Sequence, residues 1–388
     1  MERQTGQIVS IGSRLRHNPG ALTGIAVIGL SVLVSLLAYL IAPDHSPYAN
    51  RMTLEIGGKE PGYTQLFLLL RHEEPAPEAN SPAPAASRSA VAAKSSAPAA
   101  TGFLRRLAGG APDSAEYIPI TAWRVRGDSL IIDKYVDEDI TERQSYSLAR
   151  VNPFGLPLDR YIYKTRFWLG TDRFGRDILS RLIVGTRISL SVGLVAVAIS
   201  LSIGILLGAL AGYYRGRLDE GILWFMNIVW SIPTLLLVFA ITLAIGKGFW
   251  QVFIAVGLTL WVNVARTLRG QVLAIRELEY IEAAKALGFR DIRIITRHIL
   301  PNVMGPVLVV AASNFATAIV IEAGLSFLGV GVQPPQPSWG LMIKDNYSFI
   351  ITHNPMLAIV PGVAIMLLVL AFNLLGNGLR DALDVRRI

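Results

Sequence analysis

The sequence predicts an all-α integral membrane protein with six transmembrane helices and a small β-containing extracytoplasmic domain inserted between helices 1 and 2. Two observations support this prediction. The 388-residue chain is 52% hydrophobic and only 16% charged, whereas soluble domains carry about 25% charged residues. Several apolar runs also approach or exceed the roughly 20 helical residues that cross a bilayer. A soluble protein with a very large core is the alternative, and the length of these runs argues against it.

The first apolar run, residues 21–42, contains no charge and is followed by Pro43. A cleaved signal peptide is the rival interpretation, but its apolar region would be shorter, about 7–15 residues. We therefore predict a cytoplasmic N-terminus over residues 1–20 and an uncleaved first helix over 21–42. The other five helices are predicted near residues 188–212, 222–246, 249–265, 303–321 and 356–375.

Two of these helices carry residues with specific consequences for packing. Gly204, Gly208 and Gly212 form overlapping small-xxx-small repeats in the second helix, which allow helix backbones to approach closely in a membrane. Pro233 is expected to kink the third helix.

Basic residues indicate the orientation of the helices, because short cytoplasmic loops are enriched in lysine and arginine. They cluster at the N-terminus, after the second helix, after the fourth helix and at the C-terminus, for example at Arg14, Arg215, Arg269 and Arg380. Both termini and the loop 266–302 are therefore predicted to be cytoplasmic. The loop after the first helix is also basic, but long loops cross the membrane largely regardless of charge.

Residues 43–168 form the predicted extracytoplasmic insertion. Within it, residues 73–101 are rich in proline, alanine and serine and are predicted to be a disordered linker. The flanking segments have β-type composition and a turn at Gly127-Asp128. Residues 169–187 then place Ile178, Leu182 and Ile183 on one helical face, which suits a helix at the membrane surface. A polar leader to the second helix is the alternative.

The composition excludes several kinds of chemistry. The absence of cysteine excludes a disulfide framework, a cysteine zinc site and a thiol nucleophile. The five histidines do not fall at metal-ligand spacing, and we expect no metal site. The phosphate-binding pattern G-x-x-x-x-G-K-[ST] is absent, so we expect no catalytic residues and no ATP hydrolysis in this chain. The net charge of +8 is accompanied by no nucleic-acid-binding motif.

A basic segment, residues 279–302, lies between the fourth and fifth predicted helices. Tyr280, Ala283, Ala284 and Leu287 follow the i, i+3, i+4, i+7 spacing of one helical face. Gly288 then breaks the helix, and a second helix is predicted with an apolar face of Ile292, Ile295 and Ile299, starting at Asp291 and ending at Pro301. Docking to a protein partner and binding to anionic lipid both explain such a helix-turn-helix segment.

The stretch EAAKALGFRDIRIITRHILPN (282–302) resembles the "EAA" cytoplasmic loop of binding-protein-dependent ABC importer permeases. That pattern is Glu-Ala-Ala, three residues, Gly, nine residues, then Ile-x-Leu-Pro, and His298 replaces its isoleucine here. The resemblance implies that this loop, 266–302, docks onto an ATPase subunit. The coupling residues it implies are Tyr280, Glu282, Ala283, Ala284, Leu287, Gly288, His298 and Pro301.

Further motifs resemble the C-type permease subunit of dipeptide, oligopeptide and nickel importers. They are LGTDRFGRDILSRLIVGTRISLSVG (169–193), GYYRGRLDE (212–220), SIPTLLLVF (231–239) and EAGLSFLGVGVQPPQPSWGLMI (322–343). The resemblance covers residues 12–42 and 168–385, so residues 169–388 are interpreted as the permease core. It implies a type I ABC importer permease fold in the inner membrane.

The resemblance also implies the partners and the mechanism. A second permease, two ATPase subunits that hold ATP and Mg, and an extracytoplasmic binding protein would assemble with this chain, which itself binds no cofactor. ATP-driven alternating access would then move peptides across the membrane, in contact with membrane lipid. Nickel or another small solute as substrate, and a membrane scaffold without transport, remain alternatives.

A transport path must be lined by polar or small groups that face the bundle interior. The candidates are Asn227, Ser231, Asn263, Ser313, Asn314, Thr317, Glu322 and Asn373. Hydrogen bonds that only pack helices together are the alternative role for each. Glu322 lies at the end of the fifth predicted helix, and we expect it near the outer mouth, facing a basic residue of this chain or of a partner.

Overall fold

The computed structural model describes residues 12–71, 109–110, 115–152, 155, 157–246, 248–351 and 354–383. The chain divides into two compact units. The helical unit comprises Met1–Ser35, Gly185–Lys344 and Val360–Ile388, and the mixed unit comprises Leu36–Val184 and Asp345–Ile359. The predicted linker 73–101 lies outside the described residues.

The helices are labelled in chain order. They are α1 Pro19–Leu36, α2 Ala38–Ile41, α3 Leu148–Val151, α4 Ile178–Tyr214, α5 Gly216–Ser231, α6 Thr234–Ile245, α7 Phe249–Arg276, α8 Glu279–Ala286, α9 Asp291–Arg293, α10 Leu300–Phe327, α11 Trp339–Asn346 and α12 Met356–Leu383. A π-helical turn, Ile294–Ile299, joins α9 to α10.

Within the described residues, five helical segments are long and apolar enough to cross a membrane: α1, α4, α7, the run Asp291–Phe327 and α12. A sixth crossing follows if α5 and α6 are counted as one broken span. The first predicted helix, 21–42, is interrupted at Leu37, because α1 ends at Leu36 and the short α2 follows. The later membrane-crossing helices extend beyond their predicted limits at one end or both. For example, α7 runs to Arg276 and α12 to Leu383, because both continue past the apolar part of the helix.

The predicted third helix, 222–246, is broken rather than kinked. The axes of α5 and α6 meet at 94°. Pro233 lacks a backbone N–H and disfavours a helical conformation in the residue before it. Ile232 accordingly adopts an extended conformation, with φ −92° and ψ 128°. The proline therefore ends one helix and starts the next.

A row of glycines packs α4 against α7, as the sequence predicts. A Cβ atom added at Gly204 would lie 2.5 Å from Cβ of Val264, and one added at Gly208 would lie 2.6 Å from the carbonyl oxygen of Ala265. One added at Gly212 would lie 2.8 Å from Cβ of Val272. Because each distance is too short for any side chain, the two backbones can approach this closely only with glycine at these positions.

The mixed unit contains a five-stranded antiparallel sheet in the order β4-β3-β2-β1-β5. The strands are β1 Tyr63–Arg71, β2 Ala115–Arg126, β3 Ser129–Asp137, β4 Ile140–Ser147 and β5 Ile162–Phe167. Strands β1 to β3 occupy the segments with β-type composition. Gly127, with φ +63°, lies in the turn that joins β2 to β3. Leu68, Ile120 and Ile132 form the core of one sheet face.

The prediction of a surface helix over 169–187 is wrong. Residues 169–177 form a loop before α4, and the polar residues are buried rather than exposed: Arg176 is 2%, Asp177 is 7% and Arg181 is 1% accessible. Helical periodicity placed these side chains away from the apolar face, but it could not show that they find partners inside the protein.

Those partners form a buried network of charges in the mixed unit. The guanidinium of Arg176 donates to Asp172 at 2.6 Å and to Asp345 at 3.2 Å, and Arg173 donates to Asp345 at 3.0 Å. Arg181 lies 3.8 Å from Asp172. Such pairing is needed because an isolated charge is very costly to bury.

Asp177 belongs to the same region and accepts hydrogen bonds from the backbone N–H and the hydroxyl of Ser180. Burial raises the pKa of the Asp177 carboxyl, and the Ser180 hydrogen bonds oppose that rise. The Ser180 hydroxyl also accepts from the N–H of Asp44 at 2.8 Å. The start of α4 is thereby tied to the chain that follows α2.

The glycine row predicts that Gly208→Leu destabilises the helical unit. Even the first side-chain carbon would collide with the Ala265 carbonyl, and overpacking of this kind costs roughly 1–3 kcal/mol or more. We expect a lower midpoint of thermal unfolding in detergent and a lower yield in the membrane. Gly221→Leu is the matched control, because nothing lies within 4 Å of an added Cβ at this exposed position. Equal unfolding midpoints for both variants would contradict the close packing.

The charge network predicts a large effect for Asp345→Asn. Removal of one partner from a buried ion pair costs roughly 3–5 kcal/mol, because it leaves the other charge without compensation. Asp133→Asn is the control, since Asp133 pairs with Arg143 at 3.1 Å on the exposed part of the sheet and such pairs contribute roughly 0–1 kcal/mol. Thermal unfolding of both purified variants measures the difference. A loss for Asp345→Asn no larger than for Asp133→Asn would show that the network is not stabilising.

Candidate coupling surface and translocation residues

The segment 279–302 folds as helix, glycine turn and helix, as its sequence predicts. Helix α8 ends in a Schellman motif, in which the N–H of Gly288 donates to Lys285 and the N–H of Phe289 donates to Ala284, at 2.9 and 3.2 Å. Gly288 has φ +78°, a left-handed conformation that glycine adopts without steric strain because it has no Cβ. The chain then enters α9 at Asp291.

The two sides of α8 face different surroundings, and they differ from the predicted stripe. Ile281 is 0% and Ala284 is 5% accessible, and both pack in the core of the helical unit. Tyr280 and Leu287 are 43% and 74% accessible. The prediction that Ala284 shares an exposed docking face is therefore wrong. The predicted stripe left out Ile281, and the buried face of α8 is the one that carries Ile281 and Ala284.

The second half of the segment also differs from its predicted pattern. Ile292 is 64% accessible, whereas Ile294, Ile295 and Ile299 are buried. The π-helical turn at Ile294–Ile299 changes the helical repeat, so a regular 3.6-residue count misplaces Ile292. Pro301 lies two residues after the π-helical turn, inside the continuous helical run Asp291–Phe327, so it does not end the helical pattern.

Four exposed side chains on this segment form what we call the coupling surface: Tyr280, Ala283, Leu287 and Ile292. Leu287 and Ile292 lie on either side of the Gly288 turn. Glu282 is exposed beside them. Exposed apolar side chains in a polar setting are typical of a site that another protein covers.

The C-terminal end of α4 holds the segment in place. The hydroxyl of Tyr213 donates to Asp291 at 2.7 Å, and the Tyr213 carbonyl accepts from Arg276. The ammonium of Lys285 lies 5.4 Å from the centre of the Tyr213 ring. Tyr213 therefore contacts the chain before the turn and the chain after it.

His298, which occupies the isoleucine position of the pattern, stacks on a neighbouring aromatic ring. Its ring lies parallel to that of Phe289, with centroids 5.9 Å apart. The guanidinium of Arg293 lies 4.5 Å from the centre of the Phe289 ring. His298 is half-buried, and its Nε2 atom has no hydrogen-bond partner within the described residues. The imidazole thus replaces an apolar side chain in a packing role.

Three candidate path residues occupy exposed positions on α5 and α7. Asn227, Ser231 and Asn263 are exposed. Arg266 donates to Asn227 at 3.1 Å, and its guanidinium lies 3.7 Å from the centre of the Trp230 ring. The sequence placed Arg266 only in the predicted cytoplasmic loop. The sequence did contain a sign of this arrangement, because Arg266 follows the path candidate Asn263 by three residues and so lies on the same side of α7.

The other candidates divide between exposed and buried positions. Ser313 and Thr317 are exposed on α10, and Asn373 is exposed on α12. Asn314 is 2% accessible and donates to the carbonyl of Leu260 at 3.1 Å. For Asn314, the structure favours the alternative role, a hydrogen bond that packs α10 against α7.

Glu322 is fully buried, and the expectation that it faces a basic residue of this chain is wrong for the described residues. Its Oε1 atom accepts hydrogen bonds from the hydroxyls of Ser326 and Ser338, at 2.6 and 2.7 Å. No lysine, arginine or histidine of the described chain pairs with it. Two serine hydroxyls thus donate to one carboxyl oxygen, where a basic side chain was expected.

The family described as "Binding-protein-dependent transport system inner membrane component" matches residues 204–388. The glutathione transport system permease protein GsiD of Pectobacterium atrosepticum is 44% identical over 217 residues, which are 56% of this chain and 72% of that protein. The dipeptide transport system permease protein DppC of Alkalihalophilus pseudofirmus is 45% identical over 217 residues, 56% of this chain and 71% of that protein.

Among solved structures, the MetNI methionine ABC transporter in an inward-facing conformation aligns with 53% of this chain and 97% of its own, at 22% identity and a TM-score of 0.44. The matched family region contains the whole of residues 279–302, which we call the coupling segment. It also contains α7, the run Asp291–Phe327, α12, the broken pair α5–α6 and part of α4. The chain is a multi-pass inner-membrane protein and belongs to the permease components of binding-protein-dependent ABC transport systems.

Proposed function

We propose that this chain is the permease subunit of a type I ABC importer that moves di- or oligopeptides across the cytoplasmic membrane by ATP-driven alternating access. The coupling surface is the observation that carries this proposal. It presents apolar side chains on a segment whose other face is locked into the helical unit. The names of GsiD and DppC support glutathione and dipeptides as the substrate class.

Separate ATPase subunits would supply the energy, with ATP and Mg bound there rather than to this chain. The coupling surface would lie against such a subunit, and small Ala283 would allow the partner's backbone to approach. Because Ile281 and Ala284 pack in the same core as Ile294 and Val303, a push on α8 is passed directly to the start of α10. The segment is thus built to transmit motion.

The proposed topology follows from the basic loops. Both termini and the coupling segment are cytoplasmic, and the insertion 43–168, with its sheet, is extracytoplasmic. A second permease completes the bundle, two ATPase subunits bind on the cytoplasmic side, and a binding protein delivers substrate on the other side. Membrane lipid covers the remaining apolar faces.

The exposed polar residues of α5 and α7 are proposed to line the path. A charged side chain at membrane depth faces a water-filled cavity far more often than lipid. Arg266 carries such a charge at the cytoplasmic end of the proposed path, directly after the predicted fourth helix 249–265, and Asn227 and Trp230 hold its guanidinium in place. Ser231 and Asn263 extend the polar surface on the same two helices, and Ser313, Thr317 and Asn373 would contribute from α10 and α12.

Two other functions make different predictions. The same machine could carry nickel or another small solute, in which case the purified complex takes up the ion or solute and no peptide. A membrane scaffold without transport would purify without ATPase subunits. Isolation of the complex, followed by uptake of peptides into proteoliposomes, tests the proposal against both.

Leu287→Asp is predicted to uncouple transport. Leu287 is 74% accessible, so a charge there leaves the fold intact but meets the ATPase interface, where the loss of one central apolar contact costs roughly 1–2 kcal/mol or more, a factor of about ten. We expect about tenfold less peptide uptake and weaker recovery of ATPase subunits with the purified chain.

The matched control for that experiment is Leu54→Asp, because Leu54 is 69% accessible and lies outside the coupling surface. Normal uptake by the Leu287→Asp variant would count against docking at this surface. Ala284→Trp is not a docking test, since Ala284 is buried and a bulky residue there would disrupt the core of the chain itself.

Arg266→Gln is predicted to reduce peptide uptake severalfold without loss of ATPase subunits from the complex, because the change removes a charge from the proposed path and leaves the coupling surface intact. Arg217→Gln, at an exposed position in the first turn of α5, is the control. Uptake rates at saturating binding protein measure the effect. If both variants transport at the wild-type rate, Arg266 does not contribute to the path.

A further inference from the structure

We propose that Glu322 is a positioning residue, which fixes the segment between α10 and α11 by accepting hydrogen bonds from two serine hydroxyls. Its importance for transport rests on the proposed function, but its effect on the position of the segment does not. Nothing in this role requires a charge partner or contact with the transported substrate.

One carboxyl oxygen joins separate parts of the chain. Oε1 of Glu322 accepts from Ser326, one turn further along α10, and from Ser338, which directly precedes α11. The Ser326 hydroxyl in turn accepts from the N–H of Val332 at 3.0 Å, and the Ser338 hydroxyl accepts from the N–H of Leu341 at 3.4 Å. The end of α10, the connecting segment and the start of α11 therefore share one hydrogen-bond network.

The connecting segment and the start of α11 also lie in close contact with α10. A Cβ atom added at Gly331 would lie 2.2 Å from the Ser326 hydroxyl, and one added at Gly340 would lie 2.4 Å from the carbonyl oxygen of Ala323. Ser326 and Ser338 are fully buried, and Val332 is 1% accessible. Little room remains for the segment to shift while these contacts persist.

The geometry distinguishes this role from that of an ion pair. The two donors to Glu322 are neutral hydroxyls, and its Oε2 atom has no hydrogen-bond partner within the described residues. A glutamine side chain has the same shape and offers the same acceptor oxygen without a charge, and its amide nitrogen would replace an Oε2 atom that itself has no hydrogen-bond partner within the described residues. A leucine offers no acceptor and would leave buried hydroxyls without their partner, which is costly. Glutamine at position 322 should therefore preserve the position of the connecting segment, and leucine should not.

The position of Glu322 gives the network a function. Helix α10 has 28 residues and is therefore about 42 Å long, and its first three residues, 300–302, belong to the coupling segment. Glu322 lies in the last two turns at the opposite end. The network thus fixes the connecting segment to the helix that leaves the coupling segment, so that the two move together.

A cysteine reporter measures the position of the segment directly. The wild-type chain contains no cysteine, so Val332→Cys introduces the single thiol at a buried position that the network holds. Leu328→Cys, at 55% accessibility, is the exposed reference. Each reporter is combined with Glu322→Gln, Glu322→Leu or the Ser326→Ala and Ser338→Ala pair, in the assembled transporter. The rate of reaction with N-ethylmaleimide and the uptake of peptide are then measured on the same preparations.

We expect the thiol of Val332→Cys to react about ten- to thirtyfold faster with Glu322→Leu, because two buried hydrogen bonds are lost. The serine pair should have the same effect, while Glu322→Gln should react at the wild-type rate and retain transport. The Leu328→Cys rate should not change. Uptake should fall in the variants whose labelling rises.

Two results would overturn the proposal. One is unchanged labelling of Val332→Cys in both Glu322→Leu and the serine pair. The other is that Glu322→Gln behaves as Glu322→Leu does, which would show that the charge, rather than the acceptor oxygen, matters. If the wild-type complex takes up no peptide, the proposed function fails, and the labelling rates still decide the role of Glu322. If Glu322→Leu does not reach the membrane, the serine pair provides the same test.

Discussion

The close packing of α4 on α7 is the contact on which the rest of the helical unit depends. Lipid tails are as apolar as leucine side chains, so the hydrophobic effect does not drive helices together within a bilayer. Backbone approach and van der Waals contact have to do so instead. The glycines of α4 bring its backbone against Val264, Ala265 and Val272 of α7. With that pair fixed, Tyr213 at the end of α4 can hold the coupling segment that follows α7.

Features that depend on local backbone rules could be predicted from the sequence. Gly288 makes a turn because its conformation suits glycine, and Pro233 interrupts a helix because it lacks a donor. The spacing of the α4 glycines likewise predicted that a helix backbone would approach closely, but it did not identify α7 as the partner. These residues act through their own geometry, whatever lies around them, so a pattern in the sequence is sufficient to find them.

Features that depend on a partner distant in sequence could not be predicted. Ala283 and Ala284 are adjacent and identical in type, and only the packing of Ile281 against Ile294 and Ile299 decides that Ala284 is buried and Ala283 exposed. The arginines of residues 169–181 suggested a surface because charges are seldom buried, but Asp345 lies more than 160 positions along the chain from Arg176. Likewise, nothing near Glu322 in sequence indicated that Ser338 would bind it.

The two polar clusters that sequence patterns misplaced differ in a way that matters for function. The mixed unit buries arginine–aspartate pairs, whose large desolvation cost is offset only when every partner stays in place, so the geometry there should be held rigidly. The Glu322 network instead uses two hydroxyl donors and no basic residue of the described chain, and it joins α10 only to the segment that directly follows it. In a transporter that changes shape in each cycle, a segment held to the end of α10 by hydroxyl hydrogen bonds can move with that helix, whereas a network of buried ion pairs is better suited to a part that does not move.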